Sequence, residues 1–163
     1  MRKAGTLIFI ILSAVLFTGC TAVELEDRTF PQAMELCLYR GEYAGGFGGF
    51  MVSGASAEEI VRSYQAKTDK YLDLGHVKVI ILGKELLAEK ELAQKILREL
   101  EQMPLISGNC LILKHNYQDG RSVLAQLEEQ GVVPGEYLCN LYRSYPDSPA
   151  KSTVTLAELL SRF

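Results

Sequence analysis

The run Val77-Lys78-Val79-Ile80-Ile81-Leu82-Gly83 constrains this chain more than any other feature. Lys78 alone interrupts it, Gly83 stops it, and helix-patterned segments flank it on both sides. An apolar run of that length has no polar side to turn to water, so it reads as a strand covered on both faces of a sheet. Downstream, Lys84 to Gln102 places Leu86, Leu87, Leu92, Ile96, Leu97 and Leu100 on one face with Glu and Lys opposite, and Pro104 closes it: an amphipathic helix. Upstream, Ser56 and Glu59 form a capping-box signature, and Ile60, Tyr64, Tyr71 and Leu72 recur at helical spacing, predicting a helix from about Ala57 to Leu72. Asn109 to Lys114 reads as the next strand, and Ser122 to Gln130, ended by Gly131, as the next helix. Helix and strand alternate, which is the βαβ signature of a parallel or mixed sheet.

Ahead of Ser56, Glu24 to Arg28 reads as a brief helical turn ended by Phe30-Pro31, and Gln32 to Tyr39 as a strand of poor alternation. The following RGEYAGGFGGFMVSG holds six glycines in fifteen residues. It reads as a flexible hairpin loop leading into a second strand around Phe47 to Ser53. The glycines do not satisfy G-x-G-x-x-G and precede a strand rather than a helix, so a phosphate-binding loop is not expected. Toward the C-terminus, Gly135 to Tyr145 reads as a short helix, Pro146-Asp147-Ser148-Pro149 as a turn, and Thr155 as the cap of a last helix. The expected fold class is α/β, with α+β as the alternative. It has a mixed sheet of about four strands: an N-terminal hairpin, then βαβ-type units with helices packed on the sheet.

The first nineteen residues carry a different signal. Arg2 and Lys3 precede an apolar run from Leu7 to Phe17, and Thr18 and Gly19 lead to Cys20. Eleven apolar residues are too few to span a bilayer comfortably, since about 20 are needed, so this is the layout of a secretory signal. The cysteine directly after a small residue is that of a bacterial lipobox, in which Cys20 is diacylated and becomes the first residue of the mature chain; an uncleaved anchor is the alternative. Residues 1–19 are thus expected to be a lipoprotein signal peptide and 20–163 a single domain, with 155–163 as the possible opening of a further one. The remaining Cys37, Cys110 and Cys139 match no zinc spacing; Cys37 and Cys110 fall in apolar runs, as small buried hydrophobes do, with one disulfide outside the cytoplasm as the alternative. A formal charge of −3, more negative once Arg2 and Lys3 are removed, argues against a nucleic-acid partner.

Little chemistry is visible. His76 and His115 are the two histidines, each at a strand boundary where α/β enzymes keep catalytic groups, yet no serine sits in G-x-S-x-G and spacing supplies neither triad nor metal partner. A turn or helix-end role suits His76 better than general-base catalysis. Glu58-Glu59 and Glu128-Glu129 read as solvated surface. Tyr137, Leu138, Leu141, Tyr142 and Tyr145 form a stripe that reads as core first and as a partner-docking face second.

The stretch from Tyr71 to Asn116 resembles the N-terminal domain of the Ger(x)C family, the lipoprotein C subunits of nutrient germinant receptors of spore-forming bacteria. Gly75, His76, Lys78, Ile80, Ile81 and Gly83 match its G-H-x-K-x-I-I-x-G strand, Glu85 and Leu86 the opening of the helix after it, Arg98 and Glu101 an R-D-x-E stretch. Glu24, Leu25 and Glu26 match an early acidic segment. The likeness covers roughly residues 16 to 125. Thr21-Ala22 stands where the family commonly has Trp-Asp, and family members run to more than twice this length with two further domains. The resemblance implies a lipid-anchored, non-enzymatic receptor subunit without cofactor, held on the outer face of the spore inner membrane and contacting the membrane-embedded A and B subunits. It makes His76 and Lys78 candidate contact residues. A lipoprotein module binding a small ligand or peptide at the strand ends is the alternative; an enzyme built on His76 ranks third.

Overall fold

The computed structural model describes residues 25–117, 121–144 and 154–162. Cys20, the signal peptide, Glu24, Tyr145 and the Pro146–Pro149 turn lie outside the described residues.

Strand β1 (Arg28–Thr29) follows a 3₁₀ turn at Leu25–Asp27. β2 (Ala33–Tyr39) and β3 (Glu42–Gly46) form a hairpin whose two-residue turn puts Arg40 and Gly41 at φ 54° and 82°. Positive φ at both central positions is what a tight hairpin turn requires. β4 (Met51–Ser53) pairs back on β3, and helix α1 (Ala57–Gln65) follows with Ser56 as its cap, the Ser56 hydroxyl accepting from Glu59 N. Then come β5 (Tyr71–Leu72), β6 (Val79–Gly83), α2 (Lys84–Ala88), α3 (Lys90–Gln102), β7 (Leu111–His115), α4 (Val123–Glu129), α5 (Pro134–Ser144), β8 (Val154–Thr155) and α6 (Leu156–Leu160).

The α/β class is as expected, with a mixed sheet in the order β4-β3-β2-β6-β7-β8. β2, β6 and β7 run parallel; β3, β4 and β8 are antiparallel to their neighbours. A separate parallel pair joins β1 to β5. The main sheet holds six strands rather than about four, and the glycine-rich stretch accounts for one of the additions. It is not simply a loop, because Glu42–Gly46 is itself a strand. A Cβ on Gly45 would lie 2.5 Å from Glu35 O and 2.6 Å from Leu36 Cδ2, so glycine is there for close packing.

Two helical expectations change. The helix expected to run to Leu72 ends at Gln65, whose side chain takes over the pairing: its Oε1 accepts from Leu72 N at 2.6 Å and its Nε2 donates to Lys70 O at 2.8 Å. Tyr71 and Leu72 thereby become a strand against Arg28 and Thr29. The helix expected from Lys84 to Gln102 breaks at Glu89 (φ −92°, ψ 102°). The break lets Leu86 dock on the sheet while Ala93, Ile96, Leu97 and Leu100 bury a second helical face.

Strand alternation divides the core into two layers. Met34, Leu36, Ile80, Leu82 and Ile112 point to the side covered by α1, α2, α3 and α6. Ala33, Cys37, Val79 and Ile81 point to the side covered by α4 and α5. Leu156 and Leu159 of α6 are buried in the first layer, and Thr155 completes a full capping box with Glu158.

Candidate functional site

His76 and Lys78 are set at the start of β6 by a local device. Asp73 caps the 3₁₀ turn Leu74–His76, its Oδ1 accepting from Gly75 N at 3.0 Å. Its other oxygen receives Arg28 at 3.1 Å, tying the turn to β1. The Gly75 amide, and with it the Arg28 guanidinium, hold the Asp73 carboxyl below the usual carboxylate range. His76 is exposed and packs edge-to-face on Phe30, the ring centroids 4.9 Å apart. Lys78 is exposed too: its backbone N donates to Gln32 O at 2.8 Å, and its Nζ reaches Gln32 Oε1 at 3.5 Å. The two candidates thus lie at one end of the sheet, where the parallel strands begin. His76 is the last residue of the 3₁₀ turn.

Beside them, the segment Thr29–Ala33, Lys70, Tyr64, Glu128, Val133 and the start of α5 (Pro134 and Gly135) line an open cleft of about 300 Å³. α5 crosses this same end of the sheet. Gly135 sits so close over Gln32 that a Cβ would strike it, and Cys139 and Tyr142 share a second cavity with Val77, Lys78 and Cys110. The aromatic stripe expected chiefly as core is divided: Cys139 is buried and Leu138 packs against the core, whereas Tyr137 and Leu141 are exposed. Helical spacing put these side chains on one helix but could not say which of its faces met the sheet.

The strongest polar feature was not foreseen. Glu35, in the middle of β2, is fully buried, and its carboxylate takes three hydrogen bonds: from Tyr117 OH at 3.0 Å, from Val123 N at 2.9 Å and from the Ser122 hydroxyl. Ser122 Oγ in turn accepts from Ala125 N at 2.9 Å as the cap of α4. Burial raises the Glu35 pKa, with the Ser122, Val123 and Tyr117 hydrogen bonds opposing it. Burial, with Glu35 next to it, also pushes the Tyr117 phenol up, and burial with Glu35 and Glu85 pushes the Cys37 thiol up to about 12. The backbone amides at the start of α4, which in many α/β proteins meet a ligand anion, here meet the chain's own carboxylate. Glu35 acts as an internal strut between sheet and helix.

The glycine loop between β3 and β4 is gripped from two sides. Tyr64 donates to Gly48 O at 2.7 Å and stacks on Phe50 at 4.4 Å, and Glu128 accepts from Gly49 N at 2.8 Å. Glu128, expected as plain solvated surface, is therefore a clasp. Cys37, Cys110 and Cys139 are buried, as their apolar contexts suggested. Among the described residues no cluster of His, Cys, Asp or Glu is placed to hold a metal.

The family model described as spore germination protein N-terminal domain matches residues 40–163 of the chain. No curated protein and no solved structure matches it.

Proposed function

Since the chain belongs to the family of spore germination protein N-terminal domains, we propose that it is a lipid-anchored, non-enzymatic subunit of a nutrient-germinant receptor, tethered through Cys20 to the outer face of the spore inner membrane. The end of the sheet carrying His76 and Lys78 contacts the membrane-embedded A and B subunits. The family match is the observation that carries this reading. The geometry supports it in two ways. His76 is held in a turn against Phe30 with its other face open, and Lys78 extends beside it, as contact residues would. The buried carboxylate, Glu35, is enclosed and already bonded by three donors, a structural rather than a reacting arrangement.

The test is release of dipicolinic acid from spores carrying an in-frame deletion of the gene, exposed to a panel of nutrients. Complementing copies encode the wild type, Cys20→Ala, or His76→Ala with Lys78→Ala. Response to at least one nutrient is expected to be lost, restored by wild type, and restored poorly by either variant. His76 and Lys78 are exposed, so the double variant folds and a defect reports on contact. An unchanged response in a strain lacking redundant receptors would refute the proposal.

A further inference from the structure

The exposed apolar side chains are not scattered. Val133, Tyr137 and Leu141 are 55%, 44% and 40% exposed at i, i+4 and i+8, a continuous outer stripe along α5. Exposed Tyr71 pairs with Arg28 in the β1–β5 ribbon, whose Thr29 and Leu72 line the same cleft as Val133, and Leu25 lies three residues before Arg28, 73% exposed. Lys70 lines that cleft, and Lys78, outside it, reaches Gln32 in its lining. One end of the molecule therefore carries apolar and aromatic groups among mixed charges, Lys70 and Lys78 with Asp69, Glu128 and Glu136.

From this arrangement we infer that the α5 stripe and the β1–β5 ribbon form a surface that lies on the lipid bilayer. This deepens the anchored reading above and rests on it. Leu25 is five residue steps from Cys20, and a fully extended chain gains at most about 3.3–3.6 Å per residue, so an acylated Cys20 holds Leu25 within roughly 18 Å of the bilayer. Leu25 lies four residues before Thr29, which lines the cleft beside Val133, so the tether keeps this end of the molecule near the membrane. No described helix is long and apolar enough to cross a membrane, and an exposed apolar stripe is suited to lying in the bilayer surface. Tyr is a residue type that favours the interface between lipid and water. The mixed charge of the rim makes apolar contact, rather than attraction to anionic headgroups, the dominant attachment. His76 and Lys78 then sit at bilayer height, where an embedded partner is met.

The chain contains no tryptophan, so single introduced indoles report their surroundings without background. The full chain, acylated in cells, carries Val133→Trp, Tyr137→Trp or Tyr39→Trp and is reconstituted into phosphatidylcholine–phosphatidylglycerol vesicles with or without brominated acyl chains. Tyr39 is the control: it is exposed at the far end of β2, about 20 Å from Ala33 at 3.3 Å per residue. All three positions are exposed, so the core is untouched. The expected result is a blue-shifted emission quenched by brominated lipid at positions 133 and 137, little changed when phosphatidylglycerol is omitted, and no such quenching at position 39. Acylated protein in which positions 133 and 137 are quenched no more than position 39 would overturn the docking alone, pointing to a protein partner on the stripe. A mass showing no acyl chains on Cys20 would overturn the anchor, and this inference with it.

Discussion

Glu35 puts a carboxylate where a sheet interior offers no water, and three donors converge on it. Truncation to alanine leaves Tyr117 OH, the Ser122 hydroxyl and Val123 N–H buried without an acceptor, each a cost of about 1–3 kcal/mol before relaxation. Glu35→Ala is therefore expected to destabilise the domain by about 3 kcal/mol in urea denaturation. The pH dependence follows from the raised pKa. Folded protein keeps a proton that the unfolded chain, near the ordinary value of 4.5, gives up. The stabilisation from protonated Glu35 is complete below that value and is lost as pH rises through the higher folded one. Glu35→Gln keeps an acceptor for Tyr117 and Val123 but has no proton to lose. The stability of the wild type is expected to fall relative to Glu35→Gln as pH rises from about 4 toward neutral; parallel profiles would show that Glu35 titrates normally. None of this was legible locally. The strand containing Glu35 was visible, but its partners Tyr117 and Ser122 lie 82 and 87 residues away, and the carboxylate merely spoiled the alternation of its own segment. Cys37, two residues on and facing the same side, was legible as a buried thiol because its surroundings are apolar in sequence as well as in space.

Elements governed by their own residues were readable, and those governed by contacts were not. Val79–Gly83 announced itself by continuous apolar character, the α4 and α6 starts by Ser122 and Thr155, and the end of α4 by Gly131 at φ 74°. The α2–α3 break at Glu89 has no glycine or proline to mark it; it exists because two helix faces must reach two different surfaces. β3 was hidden by the low strand propensity of glycine. Here glycine is required, since Gly45 is the point where β3 closes on Leu36 and Ile60. Gly45→Ala forces a methyl against a carbonyl oxygen and a buried leucine, and overpacking of that kind costs about 1–3 kcal/mol. A lowered urea midpoint with an unchanged slope is expected; a midpoint equal to wild type would mean that the hairpin yields freely.

At the scale of the molecule, one sheet separates two layers, and each layer holds buried thiols: Cys37 and Cys139 on the α4–α5 side and Cys110 on the other. The sequence placed His76 and Lys78 at the start of a strand, but not α5 laid across that same end, because only the tertiary fold brings residues 133–141 over Gln32 and Cys110. β2, β6 and β7 contribute side chains to both layers, so neither layer can open widely while the sheet remains paired. Burial raises the Cys37 and Cys110 thiols, Cys37 to about 12, so native labelling by an alkylating reagent requires opening that exposes the sulfur to water. If the sheet opens as one unit, Cys37 and Cys110 label at similar rates, at least about 10³-fold slower than in the denatured chain, reflecting the unfolded population. Glu35→Ala, by raising that population, accelerates both on the order of a hundredfold, as about 3 kcal/mol implies. Site-resolved mass spectrometry of a labelling time course reads both rates in one experiment. Labelling of Cys110 far ahead of Cys37, or acceleration of Cys37 alone in Glu35→Ala, would show that the two layers open independently and that Glu35 braces only its own side.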